Sequence, residues 1–130
     1  MGIFLDIFED NTPRLFNHFN NIELRCDFYL VEWTMTIFSK NLNIDIVSRI
    51  WDLYMIEGIK AIYQAAIAIF FLYEVKLLNS NFEDCLMFLQ GITNEKLEEN
   101  DLIEKMKEVK FSDYILFEIQ KLNDEFLQTY

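Results

Sequence analysis

Arg49-Ile50-Trp51-Asp52 places a guanidinium, an indole and a carboxylate within about one helical turn, and Gly58 follows six residues later. On a helix, Asp45 and Arg49 stand at i, i+4 and Arg49 and Asp52 at i, i+3, so local ion pairing worth about 0.2–0.5 kcal/mol is one reading. The other is that the stripe anchors neighbouring loops. Trp51 beside it is expected to be a largely buried ring. The remaining reactive types offer less. His18, the only histidine, has no nucleophile or metal-ligand partner at a recognisable spacing. Cys26 and Cys85 belong to no paired-cysteine or Cys/His metal spacing and read as small buried hydrophobes. No glycosidase-like pair stands out among 22 carboxylates, and three isolated glycines cannot build a phosphate loop. The residues therefore specify no catalytic group, no metal site and no cofactor.

The elements that must position this cluster are helical. Three glycines, one proline and 52% hydrophobic residues, without glycine-punctuated alternation, point to an all-α fold with one core. Thr12 as N-cap and Pro13 at the first helical position predict a short helix to about Asn20. "DFYLVEWTMTIFSK" sets Glu32, Thr36, Ser39 and Lys40 opposite Leu30, Val31, Trp33, Ile37 and Phe38. Asn43 is expected to cap the helix that carries Arg49 and Asp52, and Gly58 to end it in a left-handed conformation. A long apolar helix then runs to about Leu78. "SNFE" reads as a capping box, Ser80 with Glu83, opening a helix with Phe82, Cys85, Leu86 and Leu89 on one face and Gly91 at its end. The tail predicts an interrupted helix from Thr93 to about Lys107. A stronger one follows from Asp113 to about Gln128, with Ser112 as N-cap and Ile115, Ile119, Leu122 and Phe126 in register.

The net charge of −11 argues against a nucleic-acid partner and against docking on an anionic membrane. The acidity is heavier in the tail: 10 acids and 5 bases from Thr93 onward, against 12 and 6 before it. From Ala61 to Tyr73 there are 13 uncharged residues, short of the roughly 20 that cross a bilayer. The run therefore reads as a helix buried on nearly all sides. The first ten residues show no export or lipid signal. With so few cysteines, a reducing, cytoplasmic setting is expected.

Taken together, "FYLVEWTMTIFSKNLNIDIVSRIWDLYMIEGIKAIYQAAIAIFFLYEVKLL" resembles the C-terminal half of a TBC domain, the GTPase-activating domain that acts on Rab GTPases. The resemblance rests on Trp33, Ile37-Phe38, the "NLNI" loop, Arg49, Trp51, Asp52 and Gly58 in order, then the apolar helix. It extends from "PRLFNHF" to "FEDCLMFLQ", roughly Thr12 to Gly91. It implies a multi-helix orthogonal array, with 1–92 the C-terminal part of the domain and 93–130 further helices packing on or extending it. The implied partners are a Rab-type GTPase and the N-terminal half of the domain, working in the cytoplasm, peripheral to endomembranes through those partners. A half-domain also implies exposed apolar surface that favours association with the missing half or with another copy. The family's catalytic arginine and glutamine lie in motifs of the form Ile-Pro-x-Asp-x-x-Arg and Tyr-x-Gln, and neither motif occurs here. Arg14, Arg25 and Arg49 lack that context, and Tyr63-Gln64 lacks the intervening residue. The implied role of Trp33, Arg49, Trp51, Asp52 and Gly58 is structural. The alternative is a non-catalytic helical module that binds a small GTPase or another partner.

Overall fold

Among the described residues, eight helices form where apolar positions recur at helical spacing. The computed structural model describes residues 2–92 and 97–129, with side chains as far as Glu125. The helices are α1 (Gly2–Asn11), α2 (Pro13–Asn21), α3 (Asp27–Thr36), α4 (Ile44–Glu57), α5 (Ile59–Leu78), α6 (Phe82–Gln90), α7 (Glu99–Glu108) and α8 (Asp113–Thr129). No strand occurs among the described residues, as the composition predicts.

The core is built around α5, which is kinked at Tyr73 (φ −118°, ψ 20°) and is buried at Ala61–Tyr63, Ala65–Phe70 and Leu77. By length and composition it could cross a bilayer, but here its apolar sides are covered by α7, α4, α2, α1, α8 and α3. The alanines let those neighbours approach closely, and Phe70 fills the middle. Its ring lies 4.6 Å from Phe8, 5.6 Å from Phe19, 5.8 Å from Tyr29 and 6.3 Å from both Phe4 and Trp33. Most of these pairs are tilted or edge-on, the arrangement that the ring quadrupole favours.

Local sequence predicts several helix ends correctly. The Asn43 side chain accepts from Ile46 N at 3.1 Å, and the Ser112 hydroxyl accepts from Ile115 N at 3.2 Å. Elsewhere tertiary context alters the expectation. α1 was not among the expected elements, although Phe4, Ile7 and Phe8 make its buried face. Because α1 runs directly into α2, Thr12 turns its hydroxyl back to the Phe8 carbonyl at 3.2 Å and forms no side-chain cap on α2. The cap of α6 is Asn81, whose side chain accepts from Asp84 N at 2.9 Å; the Ser80 hydroxyl donates instead to the Lys76 carbonyl. Gly91 does follow α6, but at φ −114° and not in a left-handed conformation.

Two further differences involve whole turns. The expected extension of α3 through Lys40 stops at Thr36, because Ile37 and Phe38 take φ of +47° and +63°. Such values are costly for a β-branched residue. The return is that Phe38 folds beneath Trp33 with centroids 5.2 Å apart, and both rings are fully buried. In the tail, α7 begins at Glu99, while Leu97 and Glu98 are not helical. The remainder of the expected start, 93–96, lies outside the described residues, as does the Phe126 side chain.

The two tryptophans separate by depth. Trp33 is 0% exposed and donates its indole N–H to the Leu89 carbonyl at 3.3 Å. Trp51, expected to be buried, is 44% exposed. The reason is helical phase: Ile46, Val47 and Ile50 take the face of α4 turned to α5, and position 51, four residues on from Val47, falls at the edge of that face where the ring is half covered. Trp33→Ala is expected to cost about 3–5 kcal/mol. Trp51→Ala should cost less than about 1.5 kcal/mol. Urea unfolding of both variants measures the contrast, and equal losses would contradict the assigned depths.

Candidate functional site

α4 carries three of the five signature residues. Its outer side presents Arg49, Trp51 and Asp52. Trp51 meets Tyr54 edge-on at 6.1 Å and 82°. Trp33 is set apart from them in the core, and Gly58 sits at the joint between α4 and α5. The structure therefore spreads the five over one core position, one helix face and one junction, and does not gather them into a cleft.

Arg49 does not pair locally. Its Nη1 donates to Glu99 Oε1 of α7 at 2.7 Å, across 50 residues of sequence. No contact with Asp45 or Asp52 takes the place of this one, so the i, i+3 and i, i+4 pairing expected from spacing is corrected to a tie between helices. Both partners are more than a third exposed, so solvent screening limits the ion pair to about 0.2–1 kcal/mol.

Gly58 does more than end a helix. It takes φ +69° and ψ −144°, a backbone region open in practice only to glycine and different from the left-handed conformation expected. There it closes α4, with its N–H on the Tyr54 carbonyl at 2.8 Å, and opens α5. The vacant Cβ position is occupied by Asn123 of α8. A Cβ at residue 58 would stand 2.5 Å from Asn123 Oδ1. That side chain accepts from Ile59 N at 3.3 Å and donates to the Glu57 carbonyl at 3.5 Å, bridging the joint.

Other amides hold helices in the same way. Asn11 donates to the Lys110 carbonyl at 2.9 Å and accepts from Lys110 N at 2.7 Å, a two-way clamp between α1 and the turn after α7. Gln64 donates to the Met106 carbonyl at 3.3 Å. It is thereby tied inward from the buried helix. His18 Nε2 donates to the Ser80 carbonyl at 2.8 Å, so the single histidine is a tether between α2 and the start of α6. Sequence reasoning missed Glu99, Asn123, Asn11 and Lys110, because the spacing of partners 50 to 99 residues apart carries no local signal.

No group of three or more His, Cys, Asp or Glu side chains able to hold a metal occurs among the described residues. A groove of about 270 Å³ runs past Phe8, Phe19, Leu24, Cys26 and Tyr29. At its rim Arg25 pairs with Asp27 at 3.2 Å. Both cysteines are buried. Burial, then Asp84, pushes the Cys85 thiol up to about 11, and burial raises Cys26, Tyr29 and Tyr63 as well. These groups suit packing and not nucleophilic attack.

Two predictions follow from this geometry. Gly58→Ala should lose about 1–3 kcal/mol through backbone strain. Adding Asn123→Ala should cost less than the sum of the single changes, because the shortened side chain removes the clash with the new Cβ. Chemical denaturation of the cycle measures both, and strict additivity would contradict the contact. The second prediction concerns alkaline pH. The fold holds Cys85 neutral to about 11, against an ordinary 9.0 for the unfolded chain. Unfolding therefore releases a proton in that window, so stability is intact below pH 9.0 and falls as the pH rises toward 11. Melting temperatures across that range, with Cys85→Ala as the flatter control, test the sign.

Comparison with known proteins places these features among relatives. The Rab-GTPase-TBC domain pattern matches residues 1–78. TBC1 domain family member 12 from Xenopus tropicalis is 40% identical over 94 residues, 69% of this chain and 14% of that protein. Drainin from Dictyostelium discoideum is 35% identical over 98 residues, 75% of this chain and 22% of that protein. Human TBC1 domain family member 14 is 38% identical over 88 residues, 68% of this chain and 13% of that protein. The chain thus spans less than a quarter of the length of these relatives. The matched pattern ends at Leu78, so Glu99, Lys110 and Asn123, which tie down Arg49, Asn11 and the Gly58 joint, lie beyond it.

Proposed function

The chain belongs to the Rab-GTPase-TBC domain family, and on that premise we propose that it is the C-terminal scaffold portion of a Rab GTPase-activating domain. In this reading it supports GTP hydrolysis on a Rab-type GTPase without supplying either catalytic finger. In this reading residues 1–92 are the C-terminal part of the domain, and 93–130 add helices that pack on it or extend it. The N-terminal half of the domain is the companion that brings the arginine and glutamine. The place of work is cytoplasmic, at endomembranes reached through these partners.

The observation that carries the reading is that neither finger motif occurs in the sequence, while Arg25, Arg49 and Gln64 already have partners and Arg14 stands outside either motif. Acceleration needs an arginine free to neutralise charge on the transferring phosphoryl group and a glutamine free to orient water, together worth about 10³–10⁵ in rate. Arg49 is held by Glu99 and Arg25 by Asp27. Gln64 is turned inward to Met106. Arg14 is exposed on the first turn of α2, outside any finger motif. What remains is a rigid helical support for a surface assembled with another segment. The non-catalytic binding module is separated from this reading by the sequence ahead of Met1 in the parent gene: both finger motifs there support the scaffold, and their absence supports the module.

Single-turnover GTP hydrolysis across a Rab panel, with and without excess chain, tests the central point. No acceleration is expected. A rise of tenfold, about 1.4 kcal/mol off the barrier, would overturn the proposal. Substituting Arg14, Arg25 and Arg49 in turn would then identify the residue responsible.

A further inference from the structure

With Ile46, Val47 and Ile50 turned to the core, α4 directs Ile44, Trp51 and Met55 outward, 74%, 44% and 75% exposed. At 100° per residue these three fall within one narrow stripe, and their spacings of seven and four residues are those of a helix-pairing seam. Asp45 and Asp52 make a second stripe beside it, about 10 Å apart along the axis, and both are exposed. Neither carboxylate meets a cation among the described residues, and the arginine between them is committed to Glu99. An apolar line and an acidic line therefore run side by side on a face that no described element covers. Leaving them in water forgoes about 25 cal/mol per Å² of apolar surface and leaves two carboxylates unused.

We infer that this face of α4 docks an amphipathic helix of a partner protein whose apolar stripe is bordered on one side by lysine or arginine at seven-residue spacing. Charge decides among the occupants. A second copy would bring another Asp45 and Asp52, on a chain of net charge −11, against the same stripe. An anionic bilayer would meet the same repulsion. A cationic flank satisfies both stripes at once. The inference uses no GTPase chemistry, and occupation of this face by another segment of the parent protein would overturn it.

The test titrates the full chain with a synthetic helix of about three heptads, leucine at the seam positions and lysine along one flank, against the same helix with glutamate in place of lysine. Trp33 is fully buried and Trp51 half-exposed, so a shift of emission to shorter wavelength reports Trp51. The lysine helix is expected to give a saturable shift that weakens with added salt. The glutamate helix should bind at least about tenfold less tightly, corresponding to about 1.4 kcal/mol. Met55→Glu and the pair Asp45→Asn with Asp52→Asn should each weaken the lysine helix by a similar factor, with unchanged circular dichroism. Equal binding of the two helices, or indifference to Met55→Glu, would overturn the inference. So would a Trp51 shift caused by self-association in sedimentation without peptide, or by phosphatidylcholine vesicles.

Discussion

Burial of α5 is the constraint on which the rest of the molecule depends. A helix that is apolar almost all the way round cannot lie on a surface, so its neighbours are arranged to enclose it. The four alanines between Ala61 and Ala68 keep it slim where other backbones approach, and Phe70 fills the space among α1, α2 and α3. The rings around Phe70 belong to segments separated widely in sequence. Their mutual tilt is satisfied in one arrangement of helices, which makes the aromatic cluster a source of specificity as well as of stability.

Around that apolar centre a thin shell of polar ties fixes relative position. Asn11, Gln64, Asn123 and His18 each reach a backbone group on another element, and three of the contacts involve helix ends or turns whose groups lack helical partners. A bond to a backbone group also reports main-chain position and leaves little slack. The ties from Lys110 and Asn123 come from the segment after the family-matched region, and they hold the first helix and the α4–α5 joint within it. Helices α7 and α8 are therefore tied into the packing of the helices that precede them.

Several side chains of reactive types are given over to structure. The buried thiols and phenols are held in their neutral forms, and the histidine is spent on a backbone tether. Beneath α4 lies the buried α5, while the outer face of α4 keeps a tryptophan, a methionine and two carboxylates, unpaired among the described residues, toward solvent. A buried inner face and an exposed outer one are what the proposed support would need to work with another surface.

Much of the fold was legible in the sequence. The all-α class, the long helix from Ile59 to Leu78, the caps at Asn43 and Ser112 and the junction at Gly58 all follow from interactions within a few residues, namely helical periodicity, first-turn hydrogen bonds and glycine's backbone freedom. The family was legible too, because Trp33, Arg49, Trp51, Asp52 and Gly58 keep a recognisable order. Tertiary structure alone decided what these residues do. Trp51 points outward because Ile46, Val47 and Ile50 won the inner face of α4. Arg49 chose Glu99 over nearer carboxylates, Thr12 bonded backward once α1 formed, and Ile37 accepted a strained backbone so that Phe38 could reach Trp33. Each outcome is a competition between a local partner and a distant one, and spacing along the chain records only the local contestant.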